Sequence, residues 1–240
     1  MVGCPCQNIL PRGTWEDLLT MSDSADEDQI PPRYFQRYDQ SDDALFYELP
    51  RKVVHIDDGA IAVLGTVYAE LLPRAGVLLD LMSSWRTHLP SELAEAPGLD
   101  VVGLGLNAEE MSDNPQLSRH VVHDLNREPR LPFPDATFDG SICAVSVQYM
   151  TRPVEVFADV ARVLKPGAPF LISFSNRCFP TKAVAVWHNT TDEEHIQLVG
   201  SYFHPSGRWG PPEARRFTPP VRSERCSGPE AATIRWEDEL

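Results

Sequence analysis

Basic residues are scarce in this chain: 21 Lys and Arg stand against 35 Asp and Glu, a formal charge of −14. That balance repels phosphate backbones and anionic lipid, so no nucleic acid and no membrane is expected among its partners. No apolar run approaches the ~18 residues of a spanning helix. The N-terminus has no apolar signal core, and its acids argue against a transit peptide, so a cytoplasmic location is expected. Cysteines are few and scattered, at positions 4, 6, 143, 178 and 226, which is no disulfide framework. Cys4-Pro-Cys6 lacks partner ligands, and no metal site is assigned. The Gly-x-Gly-x-x-Gly fingerprint of nicotinamide-dependent oxidoreductases is also absent.

What the chain does have is an alternation of short apolar runs with helical patterns. Gly76-Val-Leu-Leu-Asp-Leu-Met-Ser-Ser-Trp85 reads as a strand buried on both faces, Val77–Leu81, with an acid at its carboxyl end. Open α/β sheets bind ligands at that end. Ahead of it, Ile61, Leu64, Val67, Tyr68 and Leu71 recur at helical spacing after Asp57-Asp58, and Pro73 ends the pattern. Further strands are expected at Val101–Asn107, His120–Asp124, Gly140–Val147 and Phe170–Ser175. Helices are expected from Ser91, with Ser91 as N-cap, at Pro153–Leu164 and at Asp192–Phe203. This beat predicts an α/β fold: a doubly wound, mostly parallel sheet with helices on both faces.

The organisation expected is an acidic, disordered N-terminal tail over 1–32, a domain over 33–204, and a Pro/Gly/Arg-rich, loosely ordered tail over 205–240 with one faint strand at Ala232–Trp236. Met21, inside the first tail, is a second candidate start. The segment Arg33–Asp58, rich in aromatics, is expected to lie across the carboxyl ends of the strands as a lid, and His55 within it is a candidate general base.

Four blocks stand in a familiar order over Val53–Phe203: Leu78-Leu-Asp-Leu81; Val101-Val-Gly-Leu-Gly-Leu-Asn107 with Ala108-Glu-Glu-Met111; His123-Asp-Leu125 with Leu131-Pro-Phe-Pro-Asp135 and Phe138-Asp139; and Arg162-Val-Leu-Lys-Pro-Gly167. In these the sequence resembles the class I S-adenosylmethionine-dependent methyltransferases, of the type 11 branch, with a Rossmann-like fold. The resemblance implies S-adenosyl-L-methionine as cofactor and a small-molecule acceptor before a protein one. It places Asp80, Leu81, Met82, Ser83 and Ser84 at the methionine end of the cofactor. Gly103, Gly105 and Asn107 fall at the second strand, Asp124 and Leu125 at the adenine, and Val145 and Ser146 beside the sulfonium. Tyr149, Asn176 and Arg177 join His55 as substrate-side candidates. No catalytic base is assigned.

Two departures set this chain apart from the family pattern. The turn Leu81-Met-Ser-Ser-Trp-Arg86 has no glycine where the family has several, so Met82 is expected to push the ligand outward or to fill part of its pocket. At the end of the second strand Gly105 stands where the family has a ribose-binding acid, leaving Asn107 or Glu109 for that role. Both departures motivate an alternative: a catalytically inactive methyltransferase-like fold serving as a binding or regulatory subunit.

Overall fold

Strand β1 (Gly76–Leu81) sends successive side chains to opposite faces, and its leucines are buried on both. Leu78 joins one core with Leu64, Val67 and Tyr68; Leu79 and Leu81 join the other with Phe138, Phe157 and Phe170. The computed structural model describes residues 30–204, 208–217 and 231–236, the last stretch by its backbone alone. Apart from residues 30–32, the expected N-terminal tail, with Cys4, Cys6 and Met21, lies outside the described residues.

The other strands are β2 (Leu99–Gly105), β3 (Arg119–Val122), β4 (Gly140–Ala144), β5 (Phe170–Ser175), β6 (Glu213–Phe217) and β7 (Ala231–Trp236). Among the described residues they form one sheet in the order β3-β2-β1-β4-β5-β7-β6. β1 to β5 pair in parallel, while β7 runs antiparallel to both β5 and β6. Chain order reverses between β1 and β4, and Asp80 sits there, opposite Gly103 on one side and Ile142 on the other. In open α/β sheets that reversal opens a crevice at the strand ends.

The helix Asp58–Leu71 starts where the pattern placed it, because the Asp57 carboxylate accepts a hydrogen bond from the Ala60 amide at 2.9 Å. On the opposite layer lie Pro153–Val163 and Asp192–Ser201, the latter opened by a Thr191–Glu194 capping box. Other boundaries differ from the sequence reading. Pro90, not Ser91, caps the helix Ser91–Ala94, and no side chain bonds that cap. β2 stops at Gly105, and Asn107 caps Ala108–Ser112 by accepting from the Glu110 amide. β3 covers Arg119–Val122, so Asp124 lies in the loop beyond it. β4 stops at Ala144, because Val145 takes a φ of +45° and turns the chain out of the sheet. After His204, expected to carry one faint strand, two strands extend the sheet edge, β6 and β7.

The segment before the first long helix covers the strand ends. Asn107 Nδ2 donates to the Tyr47 carbonyl at 2.8 Å, and Trp85 Nε1 donates to the Val53 carbonyl at 3.1 Å. Deeper in, Asp43 pairs with Arg37 at 2.8 Å and with Lys182, fully buried, at 3.0 Å. Burial alone would raise the Asp43 pKa; Arg37, Asn126 and Lys182 outweigh it and hold the carboxyl below its usual range.

One glycine here answers to close approach. A Cβ at Gly105 would stand 2.2 Å from the Ser83 carbonyl oxygen, a backbone atom that cannot swing aside. The missing ribose acid therefore has a steric cause: the turn after β1 leans directly on the end of β2, where the Ser83 amide donates to the Leu104 carbonyl at 2.8 Å. Gly105→Ala is expected to cost about 2 kcal/mol or more by overpacking, read as a fall in the denaturant midpoint.

Candidate active site

At the end of β1 the Asp80 carboxylate is shut away from solvent, 3 % exposed. Its Oδ2 accepts from Ser83 Oγ at 2.7 Å and Thr87 Oγ1 at 2.8 Å. Burial pushes its pKa up to about 6, and the two hydroxyls only partly oppose this. No cation stands beside it among the described residues. Thr87 in turn accepts from Asn114 Nδ2 at 3.0 Å, and the same amide donates to the Ser84 carbonyl at 2.9 Å. This chain of bonds holds Met82–His88 as an ordered coil in place of a helix.

Met82 adopts φ +58°, the left-handed conformation that glycine favours. The turn thus keeps a glycine backbone without the glycine, and the Met82 side chain, half-buried, lines the cavity without closing it. Of four non-glycine residues with such φ among the described residues, three line this cavity: Met82, His88 and Val145. Strained backbone of this kind collects at functional sites.

The cavity encloses about 140 Å³ of free space. Ten of the twelve cofactor candidates line it: Asp80, Met82, Ser83, Ser84, Gly105, Asn107, Asp124, Leu125, Val145 and Ser146. Leu81 and Gly103 do not. Leu81 points into the core, and Gly103 lies mid-strand beneath Leu117 and Ser83. On the substrate side Tyr149 and His55 line the cavity, whereas Asn176 and Arg177 lie exposed outside it. Asp124 Oδ1 accepts from the amides of Asn126 at 2.9 Å and Arg127 at 3.2 Å, which fixes the carboxylate at the cavity wall.

Sequence reasoning missed several lining residues. Glu110 is 5 % exposed; it accepts from Ser84 Oγ at 2.5 Å and from the Arg51 amide. It, and not the exposed Glu109, brings a carboxylate to the end of β2, while the Asn107 side chain is used in capping and in holding the lid. The available signal was its place in the first turn of the helix after β2. Phe179 was missed too; it closes the far wall against Tyr149, whose hydroxyl accepts from the Phe179 amide at 2.9 Å, and against His55, 4.8 Å between ring centres. Arg51 spreads over Phe46 at 4.0 Å.

Two substitutions test this geometry. Met82→Gly is expected to stabilise the protein by about 1 kcal/mol, since glycine takes a left-handed φ without the Cβ penalty; thermal denaturation reads it. Asp80, with its folded pKa raised, keeps its proton where the unfolded chain has lost it. Its contribution is therefore present at acid pH and is lost as pH rises through about 6. Asp80→Asn is expected to remove roughly 2–3 kcal/mol of that pH dependence, read by comparing melting of both proteins at pH 4.5 and 7.5.

A family model for a methyltransferase domain matches residues 87–172, from just past the turn after β1 into β5. The methyltransferase phqN of Penicillium fellutanum is 33% identical over 84 residues, 32% of this chain and 26% of that protein. The biotin biosynthesis bifunctional protein BioHC of Teredinibacter turnerae is 33% identical over 76 residues, 31% of this chain and 13% of that protein. The chain thus spans about a quarter or less of the curated relatives it matches. Among solved structures, Haemonchus contortus phosphoethanolamine N-methyltransferase 2 in complex with S-adenosyl-L-methionine superposes with a TM-score of 0.53 at 12% identity, over 76% of this chain and 53% of that one. An S-adenosylmethionine-dependent methyltransferase from Mesorhizobium loti gives 0.51 at 16% identity, over 71% and 95%. The matched segment is similar to a methyltransferase domain, and the chain shares the class I, Rossmann-like fold of these S-adenosylmethionine-dependent enzymes.

Proposed function

We propose that this chain is an S-adenosylmethionine-dependent methyltransferase acting on a small molecule in the cytoplasm. The observation that carries this is one cavity walled by Asp80 at the end of β1, Asp124 just past β3 and Ser146 just past β4, with the end of β2 between the two carboxylates. The chemistry of the walls fits the donor. Asp80 is a buried acid with hydroxyl partners alone, so an ammonium at the methionine end would complete it. The second oxygen of Asp124 has no hydrogen-bond partner among the described residues, which suits the adenine amino group. Glu110 is a carboxylate for the ribose hydroxyls. The cofactor supplies a methyl group already activated on sulfur, so the protein has to align an acceptor and exclude water.

The free space is below the ~300 Å³ of ordinary ligand pockets, and Tyr47, Arg51 and Val53 of the lid reach into it. Loading therefore moves the lid outward. An aromatic chamber of Tyr47, Tyr149 and Phe179 beneath that lid suits a small acceptor better than a segment of protein, and the net charge of −14 disfavours nucleic acid. The inactive alternative draws no support: the glycine-free turn keeps the left-handed backbone, and Met82 leaves the cavity open.

Calorimetry with S-adenosylhomocysteine tests the reading. Micromolar binding is expected, weakening as pH falls below about 6, where Asp80 takes up a proton. Asp80→Asn and Asp124→Asn are each expected to lose about tenfold or more, in line with ~1.5–3 kcal/mol for a charged hydrogen bond. No binding to the unaltered protein at millimolar ligand removes the reading.

A further inference from the structure

Given the methyl-transfer reading, what remains open is where the acceptor's proton goes, and the cavity holds a group suited to it. Most of its titratable side chains are already committed. Asp80 is taken by Ser83 and Thr87, Glu110 by Ser84 and the Arg51 amide, and Asp43 by Arg37, Lys182 and Asn126. His123 Nε2 is bonded to the Glu128 carbonyl, and burial pushes the Tyr47 and Tyr149 hydroxyls far up. His55 and His88 are different. Both line the cavity, and neither imidazole is hydrogen-bonded to another described residue.

We propose that His55 and His88 form one proton-accepting pair on the acceptor side of the cavity, and hence that the acceptor is an N–H or O–H nucleophile. The two come from distant parts of the chain and are brought together by specific contacts. The Trp85 indole, donating to the Val53 carbonyl at 3.1 Å, pins the irregular lid segment that carries His55 to the coil that carries His88. His88 holds φ +62°, a conformation uncommon for residues with a side chain. His55 stands edge-on to Phe179, the aromatic wall shared with Tyr149.

The charges around the pair keep it in the basic form. Burial, then Arg86, then His55 itself lower His88 to about 4. Burial and then Arg177 lower His55, with Glu110 opposing them. Arg51, over Phe46 and Phe179, also lines the cavity. Both imidazoles are thus neutral at pH 7 and able to accept a proton. In the step, the acceptor's nitrogen or oxygen bonds to the methyl carbon as the carbon–sulfur bond breaks. Sulfur keeps that electron pair, and the acceptor's proton passes to the imidazole pair and on to water. Thiols and stabilised carbanions would need no such group.

The test uses the full chain and has two readouts. The first is NMR titration of histidine-labelled protein with and without S-adenosylhomocysteine. Both imidazoles are expected to titrate below the ordinary histidine value of ~6.5, and His55→Gln is expected to raise the titration of His88. A charged ring at pH 7, or a His88 indifferent to His55→Gln, overturns the pair. The second is a mass-spectrometric screen of methyl transfer from S-adenosylmethionine to a mixture of amines, imidazoles, phenols, alcohols, thiols and 1,3-dicarbonyl carbon acids. Products on nitrogen or hydroxyl oxygen are expected, falling about 30-fold or more in His55→Gln and in His88→Gln while calorimetric binding of S-adenosylhomocysteine is unchanged. Products confined to sulfur or carbon, no product at all, or variants with undiminished turnover overturn the proposal. Failure of the unaltered protein to bind S-adenosylhomocysteine would overturn the methyl-transfer reading with it, so the two failures are told apart.

Discussion

A single carboxylate enclosed between two parallel strands, with hydroxyls as its partners, governs the site end of this molecule. Asp80 could not stay at 3 % exposure unless Ser83 and Thr87 met it, and both must arrive from the turn that follows it. That need bends the chain back on itself within eight residues. It forces Met82 into a left-handed φ and brings the Ser83 backbone against Gly105. Asn114 then ties Thr87 and the Ser84 carbonyl to the segment beyond β2. An acid and its satisfaction therefore shape the floor of the cavity before any ligand is considered.

The same economy runs through the lid. Asn107 caps a helix and holds the Tyr47 carbonyl; Glu110 meets Ser84 and the Arg51 amide; Asn126 reaches Asp43. Asn107, Glu110 and Asn126 all follow the carboxyl ends of β2 and β3, so the segment over the strand ends is fastened to the side chains that rim the cavity. The fully buried Lys182, paired with Asp43, anchors the far end of the lid to the loop beyond β5. A buried ion pair of this type costs several kcal/mol to break from one side, so that end of the segment is firmly held.

The architecture was legible in the chain because strands buried on both faces leave uninterrupted apolar runs, and β1, β2, β4 and β5 do so. Strand ends were less legible. Val145 leaves the sheet by a backbone angle that valine seldom takes, and Asn107 caps a helix while looking like the last residue of a strand. The two C-terminal strands join the sheet by pairing with β5, a contact between segments far apart in sequence. In the site, Asp80, Asp124, Ser146 and Tyr149 could be named in advance because the topology puts the ends of parallel strands at one edge. Asn176 and Arg177 could not be placed the same way, since the chain after β5 turns outward.

The sequence alone decided the doubly wound sheet, the acid at the end of β1 and the likeness of the central segment to a methyltransferase domain, because these follow from local periodicity and from order along the chain. Tertiary structure decided which side chains meet. It brought Glu110 to the cavity at the end of β2, kept a left-handed, glycine-like backbone at Met82, and set His55 and His88 on one cavity across 33 positions of sequence. The physical reason is that burial and close approach, unlike periodicity, are properties of pairs of residues, and the pairs that matter here are distant in the chain.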